Sequence, residues 1–196
     1  MTVAKTKKLS FDEYLAHSDD REGRWELVNG EIKKMPPESR LNSRIALFLI
    51  SKFLKFVPFS LVCCKDTEIQ VSGRLATARI PDLMILTDEL DTALGDRRGT
   101  ITLDMPPPRL IVEVVSPGKE NQDRDYRYKR SEYAARGVEE YWIIDPMVAC
   151  VSILTLVNGL YEAAEFKDQT RIESATLPEL KLTAADVLNA GTPAQS

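Results

Sequence analysis

One acidic residue lies inside an otherwise apolar, strand-like segment, Leu110-Ile111-Val112-Glu113-Val114-Val115. Side chains alternate between the two faces of a strand, so Glu113 shares its face with Ile111 and Val115. An ionised carboxylate that is buried without a partner is heavily penalised. We therefore expect Glu113 to be protonated, to coordinate a metal ion or to pair with a cation.

Two further acids lie at positions from which they could bind a divalent cation together with Glu113. Asp82 opens a second predicted strand directly after a proline, and Glu26 lies in a predicted β-hairpin. Mg²⁺ prefers oxygen ligands in near-octahedral geometry and keeps several water molecules. Three carboxylates that converge from separate strands would supply such ligands, so a metal site is one prediction from these residues.

Each acid also has a structural interpretation that the sequence leaves open. Glu26 could point to solvent beside Arg24 or Lys33. Asp82, which follows a proline, could serve turn chemistry. For Glu113 the alternative is a buried salt bridge, because its sequence neighbours are apolar.

The helix predicted after this strand offers a cation for Glu113. Asp125, Lys129 and Tyr133 are spaced four residues apart, so they lie on one helical face. If this face turns towards the strand, the Lys129 ammonium group could orient a nucleophilic water or offset charge that builds up on a phosphate. The alternative is a surface ion pair between Asp125 and Lys129, worth about 0.3–0.5 kcal/mol.

A strand–helix–strand unit is predicted to position Glu113 and Lys129. It consists of a strand over 110–115, a helix over 120–136 that a glycine ends, and a strand over 140–145. Such units form right-handed crossovers between parallel strands. The acid and the lysine therefore belong to consecutive elements of one unit.

The other predicted elements are short and rich in hairpins. Asn-Gly pairs at 29–30 and 158–159 separate alternating segments, which is the strongest short-range hairpin signal. Apolar periodicity and capping residues predict the rest: a short helix capped by Ser10, a helix over 41–57, single strands over 61–71 and 79–86, a surface loop with a short helical turn over 87–108, and a short helix over 182–188.

These elements predict an α/β (mixed α+β) protein with a central mixed β-sheet flanked by helices. Residues 1–190 are expected to form a single domain, and 191–196 a disordered tail. No apolar run approaches the roughly 20 residues needed to cross a bilayer. We therefore expect no membrane association.

Composition narrows the class of function. The formal net charge is −4, so the surface as a whole does not attract nucleic acid. A metal-dependent nuclease can nevertheless be acidic, because the cation neutralises the carboxylates of its site. The three cysteines have no metal-ligand spacing and the chain has one histidine, which argues against a zinc site and for a cytoplasmic protein.

Six segments occur in an order and at spacings that resemble a known family. They are RWELVNGEI, RIPDLMIL, PPRLIVEVVSP, DYRYKRSEYAARGVEEYWIIDP, VSILTL and LPELKL, spread between Phe11 and Leu188. Together they resemble a large bacterial restriction endonuclease family within the PD-(D/E)XK nuclease superfamily. Each segment is a weak signal, whereas the six in order are specific. The resemblance implies a restriction-endonuclease-like fold and a metal-dependent endodeoxyribonuclease that hydrolyses DNA phosphodiester bonds.

The resemblance also implies roles for particular residues. Asp82 and Glu113 match the metal-binding acids of the family, and Glu26 matches its additional acid on the first hairpin. The lysine usual in the superfamily would fall at position 115, where this chain has Val115. In this family the lysine has migrated to the following helix, where Lys129 matches it, and the backbone carbonyl of Val115 is an expected metal ligand.

Further candidates and partners complete this interpretation. Gln122 and Asp125 lie on the same helix as Lys129 and are secondary site candidates. Mg²⁺ or Mn²⁺ is the expected cofactor, with no organic cofactor, and DNA the expected substrate; relatives that cut both strands imply a homodimer. Four basic residues are candidate phosphate contacts: Lys33, Lys34, Lys119 and Arg124.

One departure from the family pattern supports a different hypothesis. Many members carry a histidine early in the helix after the first hairpin, whereas residues 40–44 here contain Asn42 and no histidine. An asparagine forms hydrogen bonds but takes no proton at neutral pH. The alternative is therefore a catalytically inactive module with a nuclease fold that binds DNA or protein. A third interpretation makes Glu113 and Lys129 a structural ion pair in a scaffold.

Overall fold

The structure is a computed structural model that describes residues 8–17, 23–73 and 75–190. Its larger sheet has six strands in the order β11-β10-β9-β8-β6-β3. With strands numbered in chain order, these are β3 (Val62–Cys63), β6 (Leu83–Ile85), β8 (Leu110–Val114), β9 (Glu140–Asp145), β10 (Cys150–Val157) and β11 (Leu160–Phe166). Among the described strands of this sheet, β8 and β9 are the one parallel pair.

A second sheet has five strands in the order β2-β1-β5-β4-β7. They are β1 (Trp25–Val28), β2 (Glu31–Lys34), β4 (Glu68–Val71), β5 (Thr77–Arg79) and β7 (Thr100–Ile101). The predicted hairpin is confirmed, because Asn29 and Gly30 link β1 to β2 with φ values of 52° and 74°. Such left-handed conformations give the turn the twist of the flanking strands.

The helices are α1 (Phe11–His17), α2 (Arg40–Phe53), α3 (Asp88–Leu94), α4 (Lys119–Asp123), α5 (Arg130–Arg136) and α6 (Ala184–Asn189). A π-helical segment, Arg124–Lys129, joins α4 to α5. The predicted helix over 120–136 is thus present, and it ends at Gly137 with a φ of 86°. Among the described residues, no helix is long and apolar enough to cross a membrane.

Two apolar layers cover the faces of β8 and explain the direction of its side chains. Val112 and Val114 face a cluster that includes Leu49 of α2. Ile111 and Val115 face the opposite cluster, together with Tyr133 of α5. Glu113 therefore points towards α5, as the alternation along the strand predicts.

The prediction of one unbroken strand over 61–71 and another over 79–86 is wrong. Each is split between the two sheets: β3 and β6 lie in the larger sheet, and β4 and β5 in the smaller. The first split contains Lys65, whose φ of 59° turns the chain out of the extended conformation. The second contains Pro81, which lacks the N–H that a sheet ladder requires.

Other differences concern element ends and the number of sheets. The mixed α+β class is confirmed, but the strands form two sheets rather than one. The polar segment 87–108 contains a complete helix, α3, because the Thr87 side chain accepts a hydrogen bond from the Leu90 N–H at 3.1 Å and caps it. Helix α2 ends at Phe53, four residues before its predicted end. The predicted tail, 191–196, lies outside the described residues.

Candidate active site

Glu113 is buried, with 3% of its surface exposed, and contacts two side chains of the following helix. Its Oε1 atom accepts hydrogen bonds from Lys129 Nζ at 2.7 Å and from the Tyr133 hydroxyl at 2.8 Å. Burial raises the pKa of Glu113 to about 8, despite the opposing effect of the Lys129 charge. The predicted pairing of Glu113 with Lys129 is thus present.

Lys129 lies at the end of the π-helical segment and is 2% exposed. Its ammonium group also contacts Asp125 Oδ1 at 3.3 Å, so it bridges two buried carboxylates. Burial acts to lower the pKa of Lys129, but the charges of Glu113 and Asp125 outweigh it and raise the pKa. Lys129 is therefore a fixed cation at neutral pH, and the surface-pair interpretation of Asp125 and Lys129 is wrong.

Asp82 lies between β5 and β6, at the crossing from one sheet to the other. Its Oδ2 atom accepts a hydrogen bond from the Val114 N–H at 2.7 Å, which fixes the carboxylate beside the end of β8. Burial raises the pKa of Asp82, against the lowering effect of nearby Lys65. Asp82 and Glu113 are thus held next to each other by one strand.

Two residues that the sequence analysis did not single out complete the surroundings of Asp82. The ammonium group of Lys65 lies 3.2 Å from Asp82 Oδ1 and 2.8 Å from Glu38 Oε2. Arg24 also approaches Glu38 Oε2, at 3.6 Å. The sequence around Lys65 and Glu38 does not indicate a role in a site. Lys65 lies within a segment predicted as a strand, and Glu38 follows Pro36-Pro37 in a predicted loop region.

Glu26 is 1% exposed on β1, and both of its oxygens have partners. Oε2 contacts Arg79 Nη1 at 3.1 Å, and Oε1 accepts a hydrogen bond from the Ile80 N–H at 3.2 Å. Arg79 in turn donates two hydrogen bonds of 2.8 Å to Glu132 of α5. The interpretation of Glu26 as a solvent-exposed acid is wrong, because this arginine fork holds it inside the protein.

Several of the side chains described above line one small cavity of about 60 Å³. That volume holds a few water molecules at most, since each water occupies about 30 Å³ of liquid. Its wall carries both acids and bases, among them Glu26, Glu38, Asp82, Glu113, Arg124 and Lys129. The structure thus brings together the four predicted catalytic residues, Glu26, Asp82, Glu113 and Lys129.

The donor chemistry of this cavity suits a hard divalent cation. Asp82 and Glu113 present carboxylate oxygens from adjacent positions, and the small polar space admits water as a further ligand. Both hydrogen bonds that Glu113 accepts within the described residues fall on Oε1. No group of three or more His, Cys, Asp or Glu side chains placed to hold a metal occurs in residues 8–17, 23–73 and 75–190. A cation here would therefore rely on two carboxylates and water.

The structure does not bring every predicted residue to the cavity. Val114 lines it rather than Val115, whose N–H donates to the Ile144 carbonyl on the opposite side of the strand at 2.8 Å. A metal-bound carbonyl from Val115 is disfavoured by this direction. Gln122 is exposed and does not line the cavity, whereas its neighbour Asn121 does.

The basic candidates also differ in their distance from the site. Arg124 lines the cavity and binds Asp125 at 3.1 Å. Lys33, Lys34 and Lys119 are exposed and lie outside the cavity wall. Of the four, Arg124 is thus the one placed next to the buried acids.

Asn42, in the first turn of α2, has a structural role. It is 1% exposed, and its Nδ2 donates to the Val114 carbonyl at 3.0 Å and to Ser116 Oγ at 3.2 Å. These bonds attach the first turn of α2 to the end of β8, directly behind Glu113. Asn42 therefore positions the strand that carries the acid.

Replacing Asn42 by alanine is expected to lower the free energy of unfolding by about 1–3 kcal/mol, because a buried carbonyl loses its donor. Urea denaturation of both proteins measures the change. Ser39→Ala is the matched control: it removes only the helix cap made by Ser39 Oγ to the Asn42 N–H, at 3.1 Å. An Asn42→Ala protein as stable as the wild type would contradict this role.

Comparison with known proteins agrees with this architecture. A crystal structure of "a putative nuclease belonging to DUF820 from Anabaena variabilis ATCC 29413" has a similar fold, with a TM-score of 0.70 and 16% sequence identity over 93% of this chain and 99% of that chain. No curated protein matches the chain. A family model, Uma2, described as "Putative restriction endonuclease", matches residues 11–185. Because this match spans most of the sequence, the chain belongs to the Uma2 family.

Proposed function

We propose that this protein is a Mg²⁺- or Mn²⁺-dependent endodeoxyribonuclease. The observation that carries the proposal is the placement of Asp82, Glu113 and Lys129 around one polar cavity at the end of β8. Family membership supports nucleic acid as the substrate class. Two carboxylates beside a fixed ammonium group can hold a metal ion and stabilise the charge that develops during phosphodiester hydrolysis.

Each side chain has a role in this proposal. A divalent cation held by Asp82 and Glu113 would supply polarisation of the scissile phosphate and a more acidic water. Lys129, fixed by two carboxylates, orients the attacking water or offsets charge that builds up on the phosphate. Glu26 lines the same cavity and fixes the crossing segment before Asp82 through its bond to the Ile80 N–H.

DNA contacts outside the cavity come from basic side chains in this proposal. Arg124 lies at the cavity wall, and Lys119 lies at the start of the helix that contains it. Lys33 and Lys34 are exposed on the outer strand of the smaller sheet. A cytoplasmic homodimer with one site for each DNA strand completes the proposal, and sedimentation velocity measures that assembly.

The test is cleavage of supercoiled plasmid DNA with Mg²⁺ or Mn²⁺ and with EDTA. The wild type is expected to nick the plasmid only with the metal, and Asp82→Asn or Glu113→Gln to reduce the rate at least about 100-fold. Each amide keeps the shape of the acid, and circular dichroism confirms that each variant is folded. Equal cleavage by wild type and Glu113→Gln would remove the proposed role of Glu113.

A catalytically inactive binding module is the second candidate, favoured by Asn42. The first turn of α2 contains no histidine, and Asn42 there is a buried amide that binds the backbone. Calorimetry with Mn²⁺ separates the candidates: the nuclease binds the ion through Asp82 and Glu113, and binding is lost in the double variant Asp82→Asn/Glu113→Gln. A module without a metal site gives no heat in either protein.

A further inference from the structure

A second lysine, which is half-buried, faces the proposed metal site from outside the strand–helix unit. The Lys65 side chain is 15% exposed, and its ammonium group lies between Asp82 Oδ1, at 3.2 Å, and Glu38 Oε2, at 2.8 Å. It reaches this place from the loop between β3 and β4, which belong to different sheets. Lys129 already contacts Glu113, so an ammonium group lies beside each of the two central acids of the site.

The backbone at Lys65 is held in an unusual conformation. Its φ of 59° lies in the left-handed region, which residues other than glycine and asparagine rarely adopt. A non-glycine residue persists there only when its surroundings hold it in place. The side-chain contacts of Lys65 are with Glu38 and Asp82, so these contacts favour the strained backbone.

The two oxygens of Asp82 have different partners, so Lys65 interacts with one of them and not with the other. Oδ2 accepts the Val114 N–H, so it is fixed by the strand. Oδ1 faces Lys65, so the lysine covers the oxygen that the backbone leaves for a cation. An ammonium group and a divalent ion repel each other strongly at such short distances.

We propose that Lys65 is an internal competitor of the divalent cation for Asp82. In the metal-free protein it neutralises the carboxylate, and it leaves Oδ1 when the ion binds. Glu38 is the acceptor that retains the lysine, because its Oε2 lies 2.8 Å from Nζ and also lines the cavity. The affinity for the metal ion therefore depends on the free energy of replacing the Lys65 ammonium group by the ion at Asp82 Oδ1. This inference rests on the proposed metal site and adds its regulation.

Calorimetric titration with Mn²⁺ alone tests the inference. Lys65→Gln is expected to bind Mn²⁺ about tenfold more tightly than the wild type, because the competing charge is gone. Lys65→Arg is expected to bind several-fold more weakly, because a guanidinium fork can hold both carboxylates at once. Lys167→Gln is the matched control; its side chain is 55% exposed beside Glu165, and it removes the same charge without changing the affinity.

The outcomes separate this inference from the proposed function. Measurable and equal affinities in the wild type, Lys65→Gln and Lys65→Arg overturn the inference while the metal site stands. Absence of binding in all of them overturns the metal site and the inference with it. If Lys65→Gln does not fold, Lys65→Arg alone tests the inference. Weaker Mn²⁺ binding by Lys65→Arg supports it, and an affinity equal to that of the wild type overturns it.

Discussion

Replacing Lys129 by methionine is expected to lower the free energy of unfolding by about 3–5 kcal/mol, as for other buried pairs that lose one partner. The ammonium group bridges Glu113 and Asp125, at 2.7 and 3.3 Å, in a region with almost no solvent. Methionine keeps most of the side-chain volume, so the loss reports charge rather than a cavity. Urea denaturation at pH 8.5 in EDTA measures it, and plasmid cleavage is expected to be lost as well.

Replacement of the acid instead of the lysine is the informative control. Glu113→Gln is expected to cost much less stability than Lys129→Met, because Lys129 keeps Asp125 as a partner. The double variant should recover part of the loss, which a double-mutant cycle measures. A Lys129→Met protein within about 1 kcal/mol of the wild type would contradict the burial of an essential cation, given how costly an unpaired buried charge is.

The pH dependence of the same pair follows from the pKa of Glu113. Its value of about 8 in the folded protein lies above the usual 4.5, so the folded state holds this proton more tightly than the unfolded chain does. The resulting stabilisation is fully present when the pH lies below 4.5, the usual pKa of a glutamate, and it is lost as the pH rises through about 8. In EDTA, the stability of the wild type is therefore expected to fall across this window more steeply than that of Glu113→Gln.

Arg79→Met is expected to have a comparable effect, about 3–5 kcal/mol, for a different reason. The side chain is 3% exposed and joins Glu26 of β1 to Glu132 of α5, so its removal leaves two acids without their shared cation. Because Glu26 also fixes the segment before Asp82, plasmid cleavage should fall together with stability. Chemical denaturation and cleavage assays on the same preparation measure both.

The fork geometry of Arg79 provides the control. Arg79→Lys keeps the charge but cannot donate in parallel to Glu132 while also contacting Glu26. It is expected to lie between Arg79→Met and the wild type in stability. If Arg79→Lys equals the wild type in both assays, the charge rather than the fork positions Glu26.

The sequence was sufficient for contacts made within one supersecondary unit. A lone acid in a buried strand requires a partner, and the next helix offered Lys129 at a spacing that turns it towards the strand. Both Asn-Gly hairpins, the parallel pairing of β8 with β9 and the helix end at Gly137 also follow from local signals. These features depend on neighbouring residues, so local patterns predict them well.

Local patterns do not predict contacts that depend on how the chain crosses from one sheet to the other. Lys65 lies in a segment whose apolar residues predict an unbroken strand, and its left-handed φ has no glycine to signal it. Its distance to Asp82 depends on β3 and β4 belonging to different sheets. Likewise, Arg79 is near Glu132 only because the smaller sheet packs beside α5. Long-range placement of this kind is a property of the whole fold.

The π-helical segment Arg124–Lys129 has a consequence for insertions and deletions in this chain. An α-helix turns by about 100° for each residue, so deleting one residue before Lys129 would favour a regular helix yet rotate Arg124 and Asp125 away from it. Local hydrogen bonding would improve while the charged cluster came apart. The number of residues in this segment is therefore dictated by the site rather than by the helix, and a one-residue deletion is a more severe change here than most substitutions.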